Sequence, residues 1–221
     1  MNNHDVGDPH KNIHARYFRT TINSLEALIF LFHGRGGDCQ SVYEQLGKHL
    51  LRDDMVIVAP QASSNCWYPH RFNEPVTMNQ PWLDSAVNWI HREINEFIQK
   101  GLVPEKIVFG GFSQGACLAL EYLLRYPQHY GGVFCLSGGM IGPEGSRQAL
   151  SNTSLAGTPV FLGCADEDEW IPRAKFDESV GFLLNSGAQV ESIIYKNLGH
   201  NICEDELNYV KCMIDNLFKV T

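Results

Sequence analysis

No uninterrupted apolar run in this 221-residue sequence approaches the roughly 20 residues that cross a bilayer, so no transmembrane helix is expected. The first residues, Met1-Asn2-Asn3-His4-Asp5, are polar and lack the apolar centre of a signal peptide. Positive charge is in short supply. Seventeen Lys and Arg stand against 25 Asp and Glu, a net charge of -8. That balance provides no electrostatic footprint for nucleic acid and no attraction to an anionic membrane surface; its plain consequence is solubility. The seven cysteines, Cys39, Cys66, Cys117, Cys135, Cys164, Cys203 and Cys212, contain no C-x-x-C pair. Their odd number and scatter speak against a disulfide framework and for a reducing compartment. There is no P-loop lysine pattern, internal repeat, low-complexity tract or linker. These absences lead to the expectation of a soluble, cytoplasmic protein without nucleic-acid partners or stable membrane insertion, with monomer and homodimer both open. One domain over residues 16–221 is expected, after a loose polar leader over residues 1–15. His4, His10 and His14 in that leader are irregularly spaced and have no cysteine or carboxylate framework, so they read as solvated side chains rather than metal ligands.

What is present is an alternation of strands and helices. Ala27-Leu28-Ile29-Phe30-Leu31-Phe32 and Met55-Val56-Ile57-Val58-Ala59 are continuously apolar, as strands covered on both faces should be. Further strands are expected at Lys106–Gly110, Gly132–Leu136, Pro159–Leu162 and Val190–Tyr195, with a short edge strand at Tyr17–Thr20. Between them, helical spacing appears over Ser41–Leu51, Trp82–Lys100, Ala116–Leu124, around Phe176 to Leu184, and from Leu207 to Phe218. This order predicts an α/β protein: a mostly parallel, doubly wound sheet with helices on both faces.

The most informative stretch is Gly111-Phe112-Ser113-Gln114-Gly115, which lies between an expected strand and an expected helix. Strand, G-x-S-x-G, helix is the context of a nucleophile elbow, whose sharp turn lifts the serine hydroxyl above the sheet. A side chain at either flanking position would collide with a neighbouring strand or helix, which is why glycine is needed at 111 and 115.

A serine hydroxyl needs a base to become a nucleophile, and the partners of such an elbow follow it in the order acid, then histidine. His200, just past the last strand and next to Gly199, is the candidate base; His129 follows the elbow helix and reads as a surface residue. The acid is ambiguous. Gly163 to Pro172 contains Asp166, Glu167, Asp168 and Glu169, and spacing divides the choice mainly between Asp166 and Asp168. An oxyanion hole requires two backbone N–H groups aimed at the carbonyl oxygen. Gln114, directly after the nucleophile, should supply one, and Arg35 in the glycine loop His33–Asp38 the other. The same loop also resembles a dinucleotide fingerprint, but Cys39 stands where a third glycine is required and Ala59-Pro60-Gln61 offers no ribose-binding acid.

Four segments together resemble the phospholipase/carboxylesterase family of α/β-hydrolases, which includes the acyl-protein thioesterases. They are Leu31–Gly37, Gly111–Ala116, Asp168-Glu169-Trp170-Ile171-Pro172 and Gly199-His200-Asn201-Ile202-Cys203, in the family's order. The resemblance implies an α/β-hydrolase fold and a serine hydrolase acting on carboxylic esters or thioesters through an acyl-enzyme, with no cofactor and no metal. It implies Ser113, Asp168 and His200 as the catalytic set, Asp168 being the acid four residues before a proline, and it supports Arg35 and Gln114 as main-chain donors. Two segments depart from the thioesterase pattern: Arg35-Gly36-Gly37 stands where Leu-Gly-Asp is usual, and Asn65–Phe72 is distinctive. Trp67, Tyr68, Phe72, Met140 and Trp170 are expected to wall the substrate pocket. Arg35 and Arg71 read as solvated surface arginines, with binding of an anionic substrate group as the sharper alternative. Other readings are a hydrolase for a special metabolite such as a lactone or dienelactone, a catalytically silent small-molecule binder, and an oligomeric interaction protein.

Overall fold

Six consecutive apolar side chains, Ala27–Phe32, form a strand buried along its whole length. Such a strand needs cover on both faces. The computed structural model, which describes residues 7–19 and 25–218, provides it. The chain runs β1 (Ala15–Phe18), β2 (Ala27–Phe32), α1 (Cys39–Val42), a π-helical turn (Tyr43–Gly47) leading into α2 (Lys48–Leu50), and β3 (Met55–Pro60). It continues with α3 (Trp82–Gln99), β4 (Ile107–Phe112), α4 (Gln114–Arg125), β5 (Gly132–Leu136), β6 (Pro159–Ala165), α5 (Arg173–Asn185), β7 (Gln189–Tyr195) and α6 (Glu204–Leu217). The strands form one seven-stranded sheet in the order β1-β3-β2-β4-β5-β6-β7. Only β1 is antiparallel to its neighbour.

The side chains of β2 alternate between two cores. Leu28, Phe30 and Phe32 face Leu83, Val87 and Ile90 of α3 and Leu118 and Tyr122 of α4, a layer that also holds Phe176 and Leu183 of α5. Ala27, Ile29 and Leu31 face Val42, Leu46 and Leu50, together with Val210, Ile214 and Leu217 of α6. Local signals set the helix ends. The Asp38 carboxylate accepts the Ser41 N–H (2.7 Å) while the Asp38 N–H donates to Ser41 Oγ (2.8 Å), a reciprocal cap at the start of α1. Gly101, at φ 102°, allows the chain to turn out of α3.

Two expectations need correction. The edge strand lies at Ala15–Phe18, two residues earlier than its apolar pair suggested; Thr20 lies outside the described residues. More consequentially, the leader is not loose from Asp8 onward. His10 is fully buried between the rings of Trp67 and Trp82, at centroid distances of 5.7 and 5.3 Å. Both of its ring nitrogens are occupied, by the Trp67 carbonyl and the Ser63 N–H. A single histidine docking among aromatic rings leaves no periodic trace in a sequence. His14 is exposed, as expected, and His4 lies outside the described residues.

Candidate active site

Strands β2, β4, β6 and β7 run parallel, so the loops that follow them emerge at one edge of the sheet. The four segments picked out in the sequence are those loops. Ser113 follows β4 and adopts φ 56° and ψ −118°, a region that non-glycine residues seldom occupy. The strain is held from both sides: the Ser113 N–H donates to the Leu136 carbonyl at the end of β5 (2.9 Å), and its carbonyl accepts the Cys117 N–H in the first turn of α4 (3.1 Å). A Cβ at Gly111 or Gly115 would run into the Phe32 carbonyl, so the crossing of β2, the elbow and α4 excludes any side chain there.

His200 and Asp168 meet Ser113 in a chain of hydrogen bonds. His200 Nε2 lies 2.8 Å from Ser113 Oγ, and Nδ1 lies 2.8 Å from Asp168 Oδ2 and 3.0 Å from Oδ1. The Asp168 side chain is fully buried and His200 is partly so. Burial alone would raise the Asp168 carboxyl. Hydrogen bonds from His200 and from the Trp170 and Ile171 N–H groups, with the charge His200 can carry, outweigh it and hold the group below the usual carboxylate range. Asp168 is therefore a carboxylate that fixes Nδ1–H and leaves the Nε2 lone pair facing the serine. Asp166, the other acid candidate, stands apart and accepts the N–H groups of Glu167 and Asn197 (both 3.0 Å).

A Cβ at Gly34 would sit 3.5 Å from the Ser113 Cβ, which places the Arg35 peptide beside the nucleophile. Among the described residues, neither the Arg35 N–H nor the Gln114 N–H donates to a protein acceptor. The Gln114 N–H also opens the first turn of α4, where the helix dipole favours negative charge. Arg35 is an exposed residue, as expected, but its side chain is already committed to neighbouring groups rather than free for an anion. Its guanidinium donates to the carbonyls of Tyr68 (2.9 Å), Pro69 (3.0 Å) and His70 (2.8 Å), and to Cys66 Sγ (3.0 Å). It braces the loop that follows β3.

Ser113 and His200 open into a cavity of about 620 Å³. Its apolar wall comprises Tyr68, Phe72, Met78, Phe112, Trp170 and Ile171. Arg71 lies over the Trp170 ring, 5.3 Å from its centroid, and Glu74 joins it in the lining. Of the five residues expected to wall the pocket, Tyr68, Phe72 and Trp170 do so. Trp67 and Met140 do not. Trp67 is fully buried behind the site, where its indole N–H donates to the His33 carbonyl (2.9 Å) and its backbone N–H to Gln114 Oε1 (2.9 Å). Met140 is buried in the core layer under Ser179. Phe112, Met78 and Ile171 also line the pocket: Phe112 ends the apolar run of β4 and reads as core, while Met78 and Ile171 stand in short loop segments where nothing in the spacing marks them as wall. Cys117 also borders the cavity; burial pushes its thiol up to about 11, so it is not a thiolate competing with Ser113 near neutral pH. A second cavity, of about 530 Å³ between β6, β7 and α6, contains neither serine nor histidine.

A profile of the phospholipase/carboxylesterase family matches residues 20–218. The chain belongs to this family. Among its relatives, acyl-protein thioesterase 1 of Saccharomyces cerevisiae is 34% identical over 125 residues, 56% of this chain and 55% of that one. The chain thus spans about half the length of that yeast relative. Acyl-protein thioesterase 1 of Eremothecium gossypii is 30% identical over 216 residues, covering 84% of this chain and 87% of that one. The crystal structure of a phospholipase/carboxylesterase from Dyadobacter fermentans superposes with a TM-score of 0.81 at 35% identity, over 95% of this chain and 99% of that one. The fold of this family member is the α/β-hydrolase fold, with a mostly parallel seven-stranded sheet.

Proposed function

We propose that this protein is a serine hydrolase that cleaves carboxylic esters or thioesters through an acyl-enzyme on Ser113, assisted by His200 and Asp168. The observation that carries the reading is the unbroken line from Asp168 through His200 to Ser113 at hydrogen-bonding distances, in a chain of this family. His200 Nε2 takes the Ser113 proton as Oγ forms a bond to the substrate carbonyl carbon. The carbonyl oxygen becomes negative against the Arg35 and Gln114 N–H groups. The bond to the alcohol or thiol then breaks, and the leaving oxygen or sulfur receives the proton from His200. Water repeats the sequence on the acyl-enzyme and releases the carboxylic acid. Asp168 keeps the imidazole in the productive tautomer and stabilises its cation.

The cavity supports an acyl group larger than acetyl, because its wall is mainly aromatic and aliphatic. A chain-length series of aryl esters and acyl thioesters, run beside lactones, tests both statements. Turnover of esters or thioesters by the wild type and its loss in Ser113→Ala are expected, with a preference for acyl chains beyond acetyl. Hydrolysis of lactones alone would move the assignment to a special-metabolite hydrolase, and turnover retained by Ser113→Ala would remove it. The reading places the protein in the cytoplasm, since its cysteines Cys39, Cys66, Cys117, Cys135, Cys164, Cys203 and Cys212 are all free thiols.

A further inference from the structure

The N-terminal segment reaches both oxyanion donors without entering the cavity. His10 lies at the origin of this connection and is fully buried. Its Nδ1 accepts the Ser63 N–H (3.2 Å), so Nε2 carries the proton and donates to the Trp67 carbonyl (3.0 Å). The segment is pinned twice more, by the His10 N–H on Ser85 Oγ (2.7 Å) and by Ser63 Oγ donating to the Pro9 carbonyl (2.6 Å). Trp67 carries the contact onward in two directions. Its backbone N–H holds Gln114 Oε1 (2.9 Å), and Gln114 Nε2 returns to the Tyr68 carbonyl (2.8 Å), so the residue bearing one oxyanion donor is gripped by its side chain. Its indole N–H holds the His33 carbonyl (2.9 Å), and its ring packs on the His33 ring at 4.9 Å.

His33 completes the connection. Its Nε2 accepts the Ala62 N–H (3.1 Å), which leaves Nδ1–H to donate to the Gly34 carbonyl (2.8 Å). That carbonyl belongs to the same planar peptide as the Arg35 N–H. In a trans peptide the two point in opposite directions, so holding the oxygen from behind aims the N–H forward. Both donors are therefore oriented from the rear by groups that rest on Trp67, and Trp67 rests on His10.

We infer that His10 is a positioning residue for the oxyanion hole, and that residues 8–13 form a latch behind the active site rather than a passive leader. The inference rests on the acyl-transfer reading above. Its test uses the full-length protein and a trifluoromethyl ketone matched to the best ester, which binds as a tetrahedral oxyanion on Ser113. In His10→Ala, kcat is expected to fall by roughly tenfold or more with KM within about twofold, and ketone affinity to fall with it, since small misplacements of oriented groups are costly. A substitution that merely unfolds part of the sample lowers the apparent kcat but leaves the Kd of the folded fraction for the ketone unchanged. His10→Gln, which restores a donor and an acceptor, is expected to recover part of both. A folded His10→Ala with kcat and ketone affinity equal to wild type overturns the latch. If His10→Ala does not fold, Ser63→Ala, which releases only the Pro9 carbonyl, decides on the same two readouts: losses of the same kind support the latch and wild-type values overturn it. A wild type that turns over no ester and binds no ketone defeats the hydrolase reading instead, so the two failures are distinct.

Discussion

Ser113 owes its reactivity in this account to a backbone that is costly to hold and to an imidazole kept in one tautomer. The tautomer depends on Asp168, whose two oxygens accept from His200 Nδ1 while Oδ1 also takes the N–H groups of Trp170 and Ile171. Asp168→Asn would present an amide N–H to Nδ1, turn the proton to Nε2 and leave Ser113 without an acceptor. The expected result is a kcat lower by about three to four orders of magnitude with little change in KM, measured by steady-state turnover of the preferred ester. This choice of acid was not legible from spacing, because Asp166 and Asp168 sit in the same loop; it becomes clear from which carboxylate the Trp170–Ile171 turn surrounds. The Arg35 guanidinium was illegible for a similar reason, since its acceptors are carbonyls 33 to 35 positions away. Glu206 left no sequence signal either. On α6, it accepts the Cys203 N–H (2.9 Å) just beyond His200, and burial raises its carboxyl to about 7.

At the scale of elements, the inner strands were legible because cover on both faces forces continuous apolar runs, as in β2 and β3, whereas the half-exposed edge strand β1 was misplaced by two residues. The N-terminal segment was not legible, because its attachment depends on one side chain filling one slot. Burial lowers the pKa of His10 despite the Trp67 carbonyl and nearby Asp8, and burial likewise lowers that of His33 despite the Gly34 carbonyl and Asp38. A histidine depressed in the folded state stabilises the protein above its unfolded pKa of about 6.5, and that stability is lost as pH falls below it. Glu206 acts in the opposite sense, because a raised carboxyl favours the folded state at lower pH and loses that advantage as pH rises toward 7. The wild-type melting curve therefore sums opposing contributions, and a comparison isolates one of them. The Tm advantage of wild type over His10→Gln is expected to narrow as pH is lowered from about 7.5 to 5. An advantage that is constant with pH would show that His10 does not titrate against burial.

Across the whole molecule, the parallel order of β2, β4, β6 and β7 gathers segments from residues 33 to 200 at one sheet edge. That is why a motif order along the chain could stand in for geometry. The substrate wall was only half legible. Aromatic residues crowd the segment after β3, but nothing in their spacing distinguishes Tyr68, which borders the cavity, from Trp67, which faces the rear. The separation comes from the peptide's alternation between the cavity and the latch behind it. On the proposed reading, this edge holds a working nucleophile at Ser113. Fluorophosphonate treatment followed by peptide mapping by mass spectrometry tests it most directly. The expected result is a single phosphonyl group on the peptide bearing Ser113, absent from Ser113→Ala and formed far more slowly in His200→Ala. An adduct on another residue, or labelling that survives Ser113→Ala, contradicts the account.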